Sequence, residues 1–436
     1  MIPYLPIEIL HYIFSLLRPN LRRRGYGPSF NEVAPSDLAE ESARQLALSH
    51  ISRSSRLFRQ LALPVLYHTI PATSPQLLDT LSKHEYIAEM VKAIDLTSAA
   101  IPRDALRSAF EVARPRLSIS SDLVDHLSLC IESTLPQTGA EDAMYLFLLP
   151  NLETLEYCID TAVDSIVVSY FEWMSQCDRV YQLRQLRLHH RDAQYAIHIS
   201  NFEEILVPTI EILHGCGVSW EINPYKRSRP FLPPPYMLPE RLGLQHIELV
   251  DAMINSVGLT DLLSRCPNLH SLYIAWSGAT QMPAFPLDFT AMGVAIRDHT
   301  QQLEKLVLDH PRYKGANSIG RLGSLRTLMK LKAITLPQDM LVGDTGSADQ
   351  EHEVNKEEPL PLSQVLPDSL EYLCLLTCHG DREDLDEQVC SLITDGRLPN
   401  LRKIQMKRGE VFSRNAADLG WTLWHDGDKM TLRRCV

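Results

Sequence analysis

A chain of 436 residues, 45% hydrophobic and 22% charged, holds enough apolar side chain to bury a large core, which excludes a broadly disordered protein. Its formal net charge of −12 excludes general nucleic-acid binding, because phosphate recognition needs a basic footprint. No apolar run approaches the ~18 residues that cross a bilayer, and nine scattered cysteines fit reduced thiols better than a disulfide framework.

The first predicted element is a short amphipathic helix over Leu5 to Leu17. Ile9, Leu10, Ile13, Phe14 and Leu17 recur at helical spacing and form one broad apolar stripe. Pro6 costs little near the first turn, where its missing N–H would be unpaired anyway. Arg18 to Pro35, rich in Arg, Gly, Pro and Asn, predicts a loop. Ser36 is placed to cap the next helix, with Asp37 and Glu40 in its first turn. Further helical words follow at Leu46-Ala47-Leu48-Ser49-His50-Ile51-Ser52-Arg53 and from Phe58 to Tyr67.

The words Leu5-Pro6-x-Glu8-Ile9-Leu10-x-x-Ile13-Phe14, together with these later helices and their Leu61-Ala62-Leu63-Pro64-Val65-Leu66-Tyr67 exit, resemble the F-box of fungal-type F-box proteins. The resemblance implies a small all-α F-box over residues 1–70, with the loop at 18–35 as an insertion that departs from the family's compact form. It also implies binding to a Skp-family adaptor and, through it, to a cullin–RING ubiquitin ligase. Leu5, Pro6, Ile9, Leu10, Ile13 and Phe14 would then supply adaptor-facing or motif-core contacts.

Beyond residue 85 one pattern returns: an aliphatic, two others, an aliphatic, one other, an aliphatic. It occurs at Val91/Ile94/Leu96, Leu152/Leu155/Tyr157, Leu183/Leu186/Leu188, Val207/Ile210/Ile212, Leu244/Ile247/Leu249, Leu269/Leu272/Ile274, Leu303/Leu306/Leu308, Leu331/Ile334/Leu336, Leu370/Leu373/Leu375 and Leu401/Ile404/Met406. Leaving aside the first gap of 61 residues, units start 24 to 39 residues apart, and the last two aliphatics alternate with polar residues as a half-buried strand requires. Helical patterns lie between, at Ser121–Leu135, Ile166–Gln176, Leu259–Arg265, Phe289–His299 and Asp384–Leu392. Three units begin Pro-Asn-Leu, at Pro150, Pro267 and Pro399.

This predicts an α/β chain of stacked units, each burying its apolar edge against the next. Cys266-Pro267-Asn268-Leu269 resembles the joins of F-box-associated leucine-rich repeats. That resemblance implies a leucine-rich-repeat solenoid over 71–436, a horseshoe of parallel strands plus helices. Cys378 alone holds the family's turn position; Asp160, Arg191, Gly215, Ala252 and Ser277 replace its Asn or Cys, so irregular turns are expected. Residues 102–149 predict a degenerate repeat or an all-helical insert. Tyr225 to Pro239 predicts an extended proline-rich loop, and Leu341 to Pro361 a disordered acidic one. Trp421 to Met430 predicts a hairpin turning near Asp426-Gly427, within a C-terminal cap over 407–436.

The sequence holds no phosphate-cradling loop, dinucleotide fingerprint or nucleophile elbow, so no catalysis and no cofactor are expected. Cys374, Cys378 and His379 lack the second ligand pair of a zinc site. The first residues show no basic front or cleavage site, which points to the cytoplasm or nucleus. The resemblance implies a substrate receptor of an SCF-type ubiquitin ligase; the alternative is a non-catalytic repeat protein acting outside a ligase. In leucine-rich repeats the residues at offsets two, four and six from the first aliphatic face the concave side. The expected target-binding residues are therefore Arg187, His189, His246, Glu248, Tyr273, Lys305 and Tyr372, beside Gln185, Val250, Ser271, Val307, Asp309 and Cys374. The protein target itself is unknown.

Overall fold

A computed structural model describes residues 6–19, 35–96, 101–117, 119–133, 139–159, 167, 169–171, 182–190, 197–198, 206, 208–220, 241–276, 287–310, 318–337, 340–341, 360–376, 383–407, 420–426 and 429–434. The fold is mixed α/β and divides into two compact units, Met1–Ile197 with Phe202–Cys216, and His198–Asn201 with Gly217–Val436. The proline-rich stretch, residues 342–359 of the acidic stretch, and Cys378 with His379 lie outside the described residues.

The first unit opens with three helices, α1 (Ile7–Ser15), α2 (Pro35–Ser54) and α3 (Arg56–Leu66). Ser36 sits inside the first turn of α2 rather than capping it. Ser55 caps α3, its side chain accepting from the Phe58 N–H. The three helices share a core of Phe14, Leu48, Leu61, Ala62 and Val65. Helices α4 (Pro75–Lys83), α5 (Glu85–Ala88), α6 (Arg103–Ala113), α7 (Ser121–Glu132) and α8 (Ala140–Leu148) follow. The described part of residues 102–149 is thus helical, apart from its connections. Arg107 grips Glu132 with two bonds of 2.8 Å between α6 and α7. The Tyr145 hydroxyl donates to the Ser74 carbonyl at 2.8 Å.

Five strands of this unit pair in chain order and all in parallel: β1 (Thr69–Ile70), β2 (Ala93–Asp95), β3 (Thr154–Ile159), β4 (Gln185–His190) and β5 (Ile212–Cys216). One hydrogen-bonding step repeats. The carbonyl of the residue just after the first aliphatic accepts two successive N–H groups from the next strand's start. Lys92 receives Glu153 and Thr154, Glu153 receives Arg184 and Gln185, and Arg184 receives Glu211 and Ile212, all between 2.7 and 3.0 Å.

That step corrects the fourth triplet. Leu213 pairs with Leu186 and is fully buried, while Ile212 is only half-buried. The unit is therefore Ile210/Leu213/Gly215, three residues later than Val207/Ile210/Ile212. The slip arises because Val207, Ile210, Ile212 and Leu213 satisfy the spacing in two ways.

In the second unit β6 (Val218–Trp220) flanks β7 (His246–Ile254). After β7 come β8 (Ser271–Trp276), β9 (Lys305–Asp309), β10 (Ala333–Pro337), β11 (Tyr372–Leu376) and β12 (Lys403–Lys407), each parallel to the one before. The same bifurcated step runs through Gln245, His270, Glu304, Lys332 and Glu371. Helices α9 (Ser256–Ser264), α10 (Phe289–His299), α11 (Leu362–Val365) and α12 (Glu383–Asp395) lie between strands. Strands β13 (Trp421–Asp426) and β14 (Lys429–Arg434) form the expected antiparallel hairpin, and β14 pairs antiparallel with β12, ending the parallel run. Leu341, assigned from sequence to the acidic loop, is instead fully buried.

Two devices tie neighbouring units together. Asn151 of one Pro-Asn-Leu lead-in donates to the Glu89 carbonyl at 2.9 Å, and Asn400 of another to the Asp368 carbonyl at 3.0 Å. Each ties a unit back to the one before it. The residues at the bifurcated step also alternate in charge: Lys92 meets Glu153 at 3.0 Å, Arg184 meets Glu211 at 2.7 Å and Lys332 meets Glu304 at 2.9 Å. Pairs this exposed add little to stability, but they set opposite charges side by side along the strand starts. Backbone closeness is sharp at two helical glycines: an added Cβ would fall 1.8 Å from the Trp220 carbonyl oxygen at Gly258 in α9, and 1.9 Å from the Leu322 carbonyl oxygen at Gly293 in α10. Gly293→Ala is expected to cost about 1–3 kcal/mol through overpacking, read as a lowered thermal midpoint; an unchanged midpoint would show that α10 is free to shift.

Candidate functional site

Three surfaces collect the sequence-derived site residues. The first is α1. Phe14 is 4% exposed and meets the Phe58 ring edge-on, with centroids 5.9 Å apart. Leu10 and Leu17 lean on the same cluster. Ile9 and Ile13, four residues apart and so on one helix face, are 44% and 39% exposed, and Ile7, Tyr12 and Leu16 are exposed beside them. Pro6 is exposed at the N-cap, and Leu5 lies outside the described residues. The six candidates thus separate: Leu10 and Phe14 build the bundle, while Pro6, Ile9 and Ile13 face away from it. An apolar helix face left uncovered by its own bundle is the geometry of helix docking into a partner groove.

The second surface is the sheet face of the first unit opposite its aliphatic core. Asp95, Glu156, Arg187 and His214 stand in one register row across β2, β3, β4 and β5. Arg187 and His189, two of the expected target-binding residues, stand on this face and are only partly exposed. Both are largely buried against Glu156, which is fully buried. Glu156 Oε2 accepts from Arg187 Nη1 at 3.5 Å, and Oε1 lies 3.1 Å from His189 Nε2. The His189 approach lacks hydrogen-bond alignment. With its amide oxygen turned toward them, Gln185 accepts from Arg187 Nε at 3.1 Å and His214 Nε2 at 3.2 Å. A buried carboxylate needs such a partner, since its desolvation otherwise costs several kcal/mol.

The third surface is the equivalent sheet face of the second unit. One row reads His246, Ser271, Lys305, Ala333, Tyr372, Lys403 and Arg433; the next reads Glu248, Tyr273, Val307, Thr335, Cys374, Gln405 and Thr431. His246, Lys305 and Arg433 are exposed, and Glu248, Tyr273, Tyr372 and Lys403 are half-buried. The Tyr372 hydroxyl donates to Gln405 Oε1 at 2.7 Å, and Lys403 Nζ sits 4.9 Å from the centre of its ring. Burial, then neighbouring Cys374, pushes the Tyr372 hydroxyl well above the usual tyrosine range, so it stays a neutral donor. Burial also raises the Asp309 carboxyl, opposed by His310. Two expected positions are buried rather than open: Val307, within the second row, and Val250. Val250 turns inward because β7 carries an irregularity between Leu249 and Ala252, where Asp251 takes a left-handed φ of 49°.

Spacing alone had singled out neither Glu156 nor Lys403, although both obey the offset rule, at four from Leu152 and two from Leu401. Cys266 is no nucleophile: it is fully buried, and that burial pushes its thiol up to about 12. Among the described residues no group of three or more His, Cys, Asp or Glu could hold a metal ion, and no helix is long and apolar enough to cross a membrane. No protein-family model matches the chain, and no curated protein matches it.

Proposed function

We propose that the chain is the substrate-recognition subunit of an SCF-type cullin–RING ubiquitin ligase, built as an F-box at residues 1–70 followed by an irregular leucine-rich-repeat solenoid. In this reading Ile9, Ile13 and Pro6 dock a Skp-family adaptor, and the open sheet face of the second unit holds a protein target. The observation that carries it is the uncovered apolar face of α1, at the residues where the F-box resemblance places adaptor contacts. Burying two isoleucines in a partner groove contributes about 1.5–3 kcal/mol each. The repeated parallel strands and bifurcated step support the solenoid half, since stacked units are how such triplets bury their aliphatic edges. The function needs no catalytic side chain: holding a target beside a recruited conjugating enzyme raises the effective concentration at its lysines. Co-purification of the tagged chain tests this. Adaptor together with cullin is the expected result, adaptor without cullin points to a binding protein outside a ligase, and neither with the chain folded overturns the F-box reading.

A further inference from the structure

We infer that the open sheet face of the second unit takes an extended acidic peptide lying across its strands. The inference rests on the reading of that face as the target surface and adds the chemistry of the target. The row at the start of the strands carries His246, Lys305, Lys403 and Arg433 and no acidic residue, in a chain whose net charge is −12. Beside it along the same edge run Lys332, Arg402 and Arg434, set against Glu304 and Glu371. Glu304 is already held by Lys332 at 2.9 Å. The other acids near this face, Glu248 and Asp309, stand in later rows, and burial raises the Asp309 carboxyl toward its neutral form.

The spacing fixes what fits. Strands lie about 4.8 Å apart, so His246 to Arg433, six strands on, spans roughly 29 Å, the length of about nine extended residues. Lys305 stands two strands from Tyr372 and Lys403 one, so carboxylates spaced along such a peptide meet ammonium groups at both sides of a central aromatic. Tyr372, held by Gln405 and Lys403, provides that aromatic in a fixed orientation, and tyrosine with flanking cations is the composition of an interface centre.

Fluorescence anisotropy at physiological salt, with a labelled nonaglutamate as probe, tests the inference on the full chain. The wild type is expected to bind nonaglutamate and not nonalysine. Lys305→Glu with Lys403→Glu is expected to weaken it at least about ten-fold, while Skp-family adaptor binding and the melting curve are unchanged. Should charge reversal disturb folding, Lys305→Gln with Lys403→Gln is expected to give a smaller loss in the same direction. Absence of nonaglutamate binding, or binding that both double variants leave intact, overturns the inference. So does tighter binding of a labelled oligothymidylate, which would make the row a nucleic-acid contact. In these cases adaptor binding measured on the same preparation shows whether the ligase reading still stands.

Discussion

Arg187→Ala is expected to destabilise the first unit by about 3–5 kcal/mol, the cost of leaving a buried carboxylate without its partner. Glu156 has no exposed surface, and Arg187 is the guanidinium that bonds it. His189 sits at ion-pair distance without hydrogen-bond alignment, so it compensates incompletely, and Asp95 in the same register row brings a second buried carboxylate to that face. Replacing both partners, as Glu156→Leu with Arg187→Met, removes the charge along with its counter-charge and should recover most of the loss. Urea unfolding followed by circular dichroism reads both. A single variant within about 0.5 kcal/mol of wild type, the range of an ordinary surface change, would show that Glu156 is satisfied without Arg187. The outcome separates Arg187 from Tyr273: the former is a structural partner of a buried acid, and the latter remains a candidate for target contact.

Ile13→Asp is expected to lower adaptor affinity at least about 100-fold, a change of about 2.7 kcal/mol, because it sets an unpaired carboxylate into an apolar groove. The bundle should survive, since Ile13 points away from Phe14, Leu48, Leu61, Ala62 and Val65. Phe14→Asp is the contrasting variant. It puts the carboxylate inside that core, against Phe58, and should lose the helical signal of the bundle together with adaptor binding. Isothermal titration with circular dichroism distinguishes the two. An Ile13→Asp protein that binds the adaptor as wild type does would remove α1 from the interface.

Strand positions were legible wherever a single aliphatic spacing was available, because burial on one face imposes alternation that only one register satisfies. Where extra aliphatics crowd together, as at Ile210, Ile212 and Leu213, the pattern admits two registers and only backbone pairing decides. The same limit applies to α1. A stripe containing Ile9, Leu10, Ile13, Phe14 and Leu17 is wide enough to face two ways, and which edge packs inward depends on where Phe58 and Leu61 come to lie. Val250 was misplaced for a local reason, the left-handed turn at Asp251, which offset counting from Leu244 does not register. The surroundings of Arg187 were not legible because they are set by Glu156, on another strand 31 residues away. A charged side chain at a face position is open only if its neighbours carry no opposite buried charge.

Amide hydrogen exchange of the full chain, with and without a Skp-family adaptor, tests most directly whether α1 is the docking face. Slowed exchange at residues 7–17, with the open sheet of the second unit unchanged, is the expected result. Unchanged exchange in α1 at saturating adaptor, or protection of the strands from His246 to Lys407 in its place, would contradict it.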